Sequence, residues 1–223
     1  MDLHMKTISL IGLAATVMLA AACGPKGQEQ TAPDNQNTSD MDNPVIEAIM
    51  GRRSVRQYKD TPVEREKLMK IAECGINAPN AMNRQDWELR IIDDEDFLNG
   101  ATEVMKQEMP GMVNPDEPGF RNAFRNAKVL FAIACPDEPS DFYLQNVGLM
   151  SENICLAAWS MGLGTCIMAS PARFFNSPAG KPFLDKLGFS EGYKLQITIA
   201  CGYPDETPEA RPRDAGKIKF VEK

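Results

Sequence analysis

The sequence predicts an α+β domain over residues 44–223, a central mixed β-sheet flanked by helices, on three observations. Segments of helical periodicity alternate with short apolar runs of strand length. Val129 to Cys135 is a continuous apolar run, the pattern of a central strand covered on both faces. Two further strand-like runs, Thr165 to Ala169 and Leu195 to Cys201, come late in the chain, which favours a mixed sheet over a doubly wound one.

Each element has a local reason. Asn43 followed by Pro44 is a helix start, since Asn caps free backbone N–H groups and Pro needs none at the first position. Val45, Ile46, Ile49 and Met50 share one face of that helix, and Gly51 ends it. A second helix begins near Val63, with Leu68, Ile71, Ala72, Gly75 and Ile76 spaced at three and four, and Pro79 beyond its end. Trp87 to Ile92 alternates as a strand. Asp93-Asp94-Glu95-Asp96 is an acidic helix entry favourable to the helix dipole, followed by Phe97, Ala101, Val104 and Met105. Pro110 to Gly119, rich in Pro and Gly, is a loop, and Phe120 with Phe124 predicts a short helix after it. From Asp141 to Met161 the pattern is helical with little polar face, as for a helix buried on most sides. Lys217 to Val221 is read as a final short strand. The chain has no internal repeat.

The amino-terminal residues read differently. Ile8 to Ala22 is an apolar run behind the basic Lys6, shorter than the span of about 20 residues a membrane helix needs, so residues 1–22 are expected to be a signal peptide. Ala20-Ala21-Ala22-Cys23 resembles a bacterial lipobox, with Cys23 as the lipidated residue. Residues 23–43 hold almost no apolar side chain and cannot bury enough surface to fold, so they are expected to form a disordered tether. The expected location is the cell envelope, on the periplasmic or outer side of a membrane.

Composition narrows the chemistry. The formal net charge is −7, which disfavours nucleic acid as a partner. Removing the leader takes away one acid, Asp2, and one base, Lys6, so the mature charge stays at −7. The one histidine, His4, lies in the leader, so Ser-His-Asp hydrolysis, Cys-His proteolysis and histidine-ligated metals are excluded from the body. Cys74, Cys135, Cys155, Cys166 and Cys201 include no C-x-x-C pair, and all but Cys74 sit in apolar runs, as small buried hydrophobes do. The reaction must come from other side chains or from a cofactor.

Two segments carry the functional signal. Arg52-Arg53-Ser54-Val55-Arg56 brings three guanidinium groups and a hydroxyl together, donors that match a phosphate. By itself it is equally the solvated basic end of a helix. Ala78-Pro79-Asn80-Ala81-Met82-Asn83-Arg84-Gln85-Asp86-Trp87 is an amide-rich loop, which alone would read as a surface Asx turn. Together with Asn153 to Thr165, Gly202-Tyr203-Pro204 and Arg211-Pro212-Arg213, in this order, they resemble the FMN-dependent nitroreductase family over most of residues 44–221.

The resemblance implies a nitroreductase-like fold, an intertwined homodimer and FMN sites at its interface. It places Arg52, Arg53, Ser54 and Arg56 around the phosphate, ribityl chain and pyrimidine edge, with Arg56 near N1 and O2. Asn80, Ala81 and Asn83 match the loop that reaches the flavin across the interface, although Asn80 replaces a common serine and Asp86 a common proline. Met168, Ala169 and Ser170 align with the segment facing flavin N5, without the Pro-x-Glu-Gly of larger relatives. Arg211 and Arg213 match late basic residues that close over the phosphate. Phe120, Phe124 and Tyr143 are either lid aromatics or packing residues. The implied activity is reduction of nitroaromatic, quinone or similar conjugated substrates by ping-pong hydride transfer through flavin N5, with no catalytic side chain beyond those that hold FMN. NAD(P)H is the implied donor, but a lipid-anchored envelope protein would meet a membrane quinol or partner protein instead. A lipid-anchored flavin- or ring-ligand-binding module without turnover, or a reductive dehalogenase or flavin-cleaving relative, are the competing readings.

Overall fold

A computed structural model describes residues 43–140 and 142–222. The expected leader, Cys23 and all but the last residue of the tether lie outside the described residues. The elements run α1 (Pro44–Gly51), α2 (Arg65–Ile76), β1 (Glu88–Ile92), α3 (Glu95–Glu108), β2 (Val129–Pro136), α4 (Tyr143–Ser160), β3 (Gly164–Met168), α5 (Ser170–Phe175), α6 (Lys181–Leu187) and β4 (Tyr193–Gly202). The helix starts follow their caps. Asn43 Oδ1 accepts from the N–H groups of Val45 and Ile46, and the Asp94 carboxylate does the same for Asp96 and Phe97 at α3.

The sheet has the order β1-β2-β4-β3. All three ladders are antiparallel, so the mixed sheet expected from sequence is corrected to an antiparallel one. The one parallel pairing among the described residues is an isolated bridge between Ser54 and Thr165. A run of apolar residues identifies a strand but carries no information about its direction.

β2 is the doubly covered strand its composition demands. Val129, Phe131, Ile133 and Cys135 face one core with Leu68 and Ile71 of α2 and Met150 and Ile154 of α4. Leu130 and Ala132 face the other, with Leu98, Ala101 and Met105 of α3 and Phe174 and Phe175 of α5. Successive side chains of a strand point to opposite faces, so one unbroken apolar run supplies both cores.

Two local expectations fail for identifiable reasons. The turn around Phe120 and Phe124 is not helical: Asn126 Oδ1 accepts from the N–H groups of Arg121 and Asn122, and Asn122 Oδ1 accepts from that of Phe124. Side-chain acceptors thus replace the helical carbonyls, and Arg125 and Asn126 take left-handed backbone (φ 60° each). Residues 217–221 form no strand, only a single 3₁₀ turn at Ala215–Lys217, and Ile218, Phe220 and Val221 stand exposed without a neighbouring strand. Helices α5 and α6 escaped the periodicity because each is under two turns long. Their legible signal is the proline in each first turn, Pro171 and Pro182.

Candidate functional site

The arginine segment is fixed between α1 and the outer edge of β3. Helix α1 stops at Gly51, where a Cβ would lie 2.6 Å from the Trp159 ring on α4. The chain leaves extended, Arg52 having φ −56° and ψ 139°. Ser54 then bridges Thr165 in parallel, and the Val55 N–H donates to the Thr165 carbonyl at 2.9 Å. Val55 is buried against Gly164, whose missing side chain makes the approach possible, since a Cβ there would meet Val55 at 2.8 Å. Further on, the Lys59 N–H donates to the Tyr203 carbonyl and the Asp205 N–H to the Gln57 carbonyl, each at 2.9 Å, tying the segment to the end of β4.

A cleft of about 500 Å³ opens beside this segment, bounded by Arg52, Arg53, Trp159, Thr165 and Glu206. Arg52 Nε donates to the Glu152 carboxylate at 3.1 Å, which leaves its two Nη groups without a hydrogen-bonding partner among the described residues. Arg53 Nη1 donates to the carbonyls of Met50 (2.8 Å) and Arg52 (2.7 Å), so this guanidinium caps the carboxyl end of α1. Arg56 Nη1 donates to the Ser54 carbonyl at 3.1 Å, while the Arg56 backbone N–H donates to the Glu206 carboxylate. A cationic rim with an apolar wall of Val55, Trp159 and Leu163 suits a ligand that is anionic at one end and flat and apolar at the other.

Behind this edge lie three buried thiols, Cys155, Cys166 and Cys201, whose surroundings favour the protonated form. Burial pushes the Cys155 thiol up to about 11, against the opposing pull of a hydrogen bond with Thr165 and the nearby Arg52 charge. Burial pushes Cys201 up to about 12. Cys166 is likewise raised by burial, with Arg56 and Arg125 close enough to oppose the shift. Among the described residues no cluster of His, Cys, Asp or Glu could hold a metal ion.

The remaining predicted site residues are dispersed within one chain. Met168, Ala169 and Ser170 sit at the far end of β3 from the cleft, where the Met168 carbonyl accepts from Thr198 Oγ1 at 3.0 Å and Ser170 opens α5. Arg211 and Arg213 lie on an exposed extended segment, Arg213 Nη1 reaching the Arg211 carbonyl at 2.9 Å. The Asn80–Asn83 loop does not line the cleft. It folds onto α4 instead: the Ala81 N–H donates to Asn146 Oδ1 at 3.2 Å, and Asn80 Oδ1 accepts from the Gln85 N–H at 2.8 Å. Asn83 Oδ1 accepts from Gln85 Nε2 at 3.3 Å. Of the aromatic candidates, Phe124 is fully buried and stacked on Phe175, and Tyr143 belongs to the core, so both are packing residues. Phe120 lies half-buried under the Lys106 ammonium.

Sequence reasoning missed Trp159 and Glu206 as cleft residues, and Glu152 as the partner of Arg52. Trp159 stands within the Asn153–Thr165 segment singled out above. Glu152 precedes that segment and Glu206 follows Gly202-Tyr203-Pro204, but no spacing rule marks either carboxylate as a neighbour of arginines more than ninety positions away.

Comparison with known proteins bears on this geometry. The model of the nitroreductase family matches residues 49–203, which include the arginine segment, the amide loop and all four strands. The NADPH-flavin oxidoreductase of Vibrio harveyi is 25% identical over 187 residues, 77% of this chain and 70% of that protein. A nitroreductase with bound FMN from Desulfitobacterium hafniense superposes with a TM-score of 0.74 at 26% identity, covering 82% of this chain and 100% of that one. A second nitroreductase with bound FMN, from Bacteroides fragilis, shares the fold with a TM-score of 0.71 at 24% identity, over 81% of this chain and 100% of its own.

Proposed function

The chain belongs to the nitroreductase family, and from that premise we propose that it is an FMN-dependent oxidoreductase reducing nitroaromatic, quinone or similar conjugated substrates. The observation that carries the proposal is the cationic rim of Arg52 and Arg53 on a cleft of about 500 Å³ beside the outer edge of β3. The donor set fits the cofactor. Arg52 has Nη donors to spare for a phosphate, and the apolar wall of Val55, Leu163 and Trp159 provides a water-poor flank; Ser54, set between Arg53 and Val55 but not itself lining the cleft, carries a hydroxyl for the ribityl chain. Bound FMN would supply hydride transfer through its N5 in a ping-pong sequence.

The chain's own residues then bind, orient and tune. Arg56 is a fixed cation on the same edge and favours whichever state of a neighbouring ring carries more negative charge. The backbone of Met168 to Ser170, or the Ser170 hydroxyl, would supply the hydrogen-bond donor for flavin N5. A homodimer brings the Asn80, Ala81 and Asn83 loop and the basic Arg211 and Arg213 to the site from their dispersed positions. Support for a dimer comes from apolar side chains exposed on α1 (Val45, Ile46, Ile49, Met50) and on the final segment (Ile218, Phe220, Val221). We also propose that Cys23 carries a lipid anchor at the envelope. Labelling with a palmitate analogue that is lost in Cys23→Ala would support this, and labelling unchanged in that variant would remove it.

Residues 41–223, one compact unit, provide the direct test. The purified protein should be yellow and release FMN on denaturation, and NADPH added anaerobically should bleach it. Protein that stays colourless and takes up no added FMN overturns the proposal. Replacing Arg52 and Ser54 by Ala should weaken FMN retention about tenfold or more, the scale of a lost charge-assisted hydrogen bond. Unchanged flavin content would remove that assignment. A second reading of the donor rests on Cys23: bleaching by dithionite but not by nicotinamides would favour a membrane quinol or a partner protein.

A further inference from the structure

The amide loop at residues 80–86 is held in a conformation that its own sequence does not favour. Met82, Asn83 and Gln85 have φ of 54°, 51° and 54°, the left-handed region, which asparagine tolerates but which costs residues such as Met82 and Gln85 about 1 kcal/mol or more each. Such a conformation persists only where the surroundings over-determine it. Within the loop, Asn80 braces the turn through Gln85, and the Arg84 guanidinium pairs with Asp86 at 2.6 Å. From outside, two side chains of α4 reach it. Asn146 Oδ1 accepts from the Ala81 N–H at 3.2 Å, and the Tyr143 hydroxyl accepts from Arg84 Nη2 at 3.3 Å while donating to Glu138 at 2.6 Å. Tyr143 and Asn146 are three residues apart, so they lie on one face of the helix. Both are buried, and Asn146 is a carboxamide only 4% exposed.

A buried amide on a core helix is costly unless it satisfies a specific partner, and here that partner is the backbone of the loop. The geometry points to Asn146 as the positioning residue of the cofactor loop, with Tyr143 as its second tether: α4 is the template on which residues 80–86 are shaped. This inference rests on the proposal that the loop contacts FMN. It also reassigns Ala81, whose N–H is occupied by Asn146, so Ala81 positions the loop and leaves flavin contact to its neighbours. Asn146 acts through the loop and not on the cofactor itself.

The test has a readout that does not need the cofactor. Arg84 is exposed, so trypsin cutting at Arg84–Gln85 in the full chain, followed by mass spectrometry well below the melting temperature, reports how often the loop leaves its native shape. Asn146→Leu leaves the Ala81 N–H unpaired and should raise this cleavage rate about tenfold or more. Asn146→Asp keeps an acceptor oxygen in place and should stay within a few-fold of the wild type. Tyr143→Phe keeps the buried ring, removes only the hydroxyl, and should raise cleavage a few-fold, so it carries the test should Asn146→Leu fail to fold. FMN affinity, measured by flavin fluorescence, should fall in the same order as cleavage rises. If Asn146→Leu and Tyr143→Phe lower the melting temperature but leave Arg84 cleavage at the wild-type rate, the residues merely fill the core and the inference is overturned. If wild type binds no FMN while cleavage follows the expected order, the loop template stands and the cofactor proposal is what fails.

Discussion

Gly164 shows how a single missing side chain sets the site. Its vacant Cβ position is filled by Val55, and the Ser54–Thr165 bridge holds the arginine segment against β3 next to it. Gly164→Ala would push Val55 outward, and overpacking of this kind costs about 1–3 kcal/mol. We expect a lower urea midpoint together with reduced FMN retention, since the displaced strand carries the arginines. A stability loss with full FMN content would separate the contact from the site. At this scale, the sequence revealed which residues were chemically able to hold an anion, because guanidinium and hydroxyl groups are recognisable in isolation. It did not reveal which were free to do so. Arg53 spends two of its donors on the carbonyls of Met50 and Arg52, and Arg52 shares its Nε with Glu152, facts fixed by a helix end and a distant helix.

Elements are joined here by side chains that cap them. Arg90 on β1 donates from Nε to the Leu187 carbonyl (2.7 Å) and from Nη2 to the Gly188 carbonyl (2.6 Å), and its guanidinium lies over the Phe189 ring at 4.7 Å. It thereby closes the carboxyl end of α6, whose last turn passes through Gly188 with φ 60°. Arg90→Met should destabilise the domain by about 1–3 kcal/mol, read as a lower melting temperature. Arg90→Lys should recover little of this, because one ammonium lacks the planar fork that spans two carbonyls. The long elements were legible in advance, since α3, β2 and α4 each run past the length at which periodicity or an unbroken apolar run becomes decisive. What was not legible depends on partners elsewhere in the chain. The turn at Phe120–Phe124 is decided by Asn122 and Asn126 competing for its N–H groups, and strand direction by which ladder each run meets.

For the whole molecule, the exposed apolar face of α1 is the feature with the largest consequence for assembly. Met50 and Val45 are 70% and 64% exposed, so a charge placed there costs the folded chain little, whereas at a buried interface it would be prohibitive. Met50→Glu is expected to leave the melting curve of the chain near wild type, shift its sedimentation from dimer to monomer, and release FMN. A wild-type protein that sediments as a monomer with bound FMN would contradict the dimeric site. One further consequence follows from the position of β3 at the outer edge of the sheet. An unpaired strand edge is a template on which other chains can build, and natural sheets keep such edges covered. Residues 54–55 supply that cover at Thr165, through a parallel bridge whose hydrogen bond runs from the Val55 N–H to the Thr165 carbonyl. The segment that would grip the cofactor is therefore also the guard of the sheet, and whatever loosens that grip unmasks a surface able to recruit further copies. Deprived of flavin, such a protein would lose its chemistry at once and its solubility soon after.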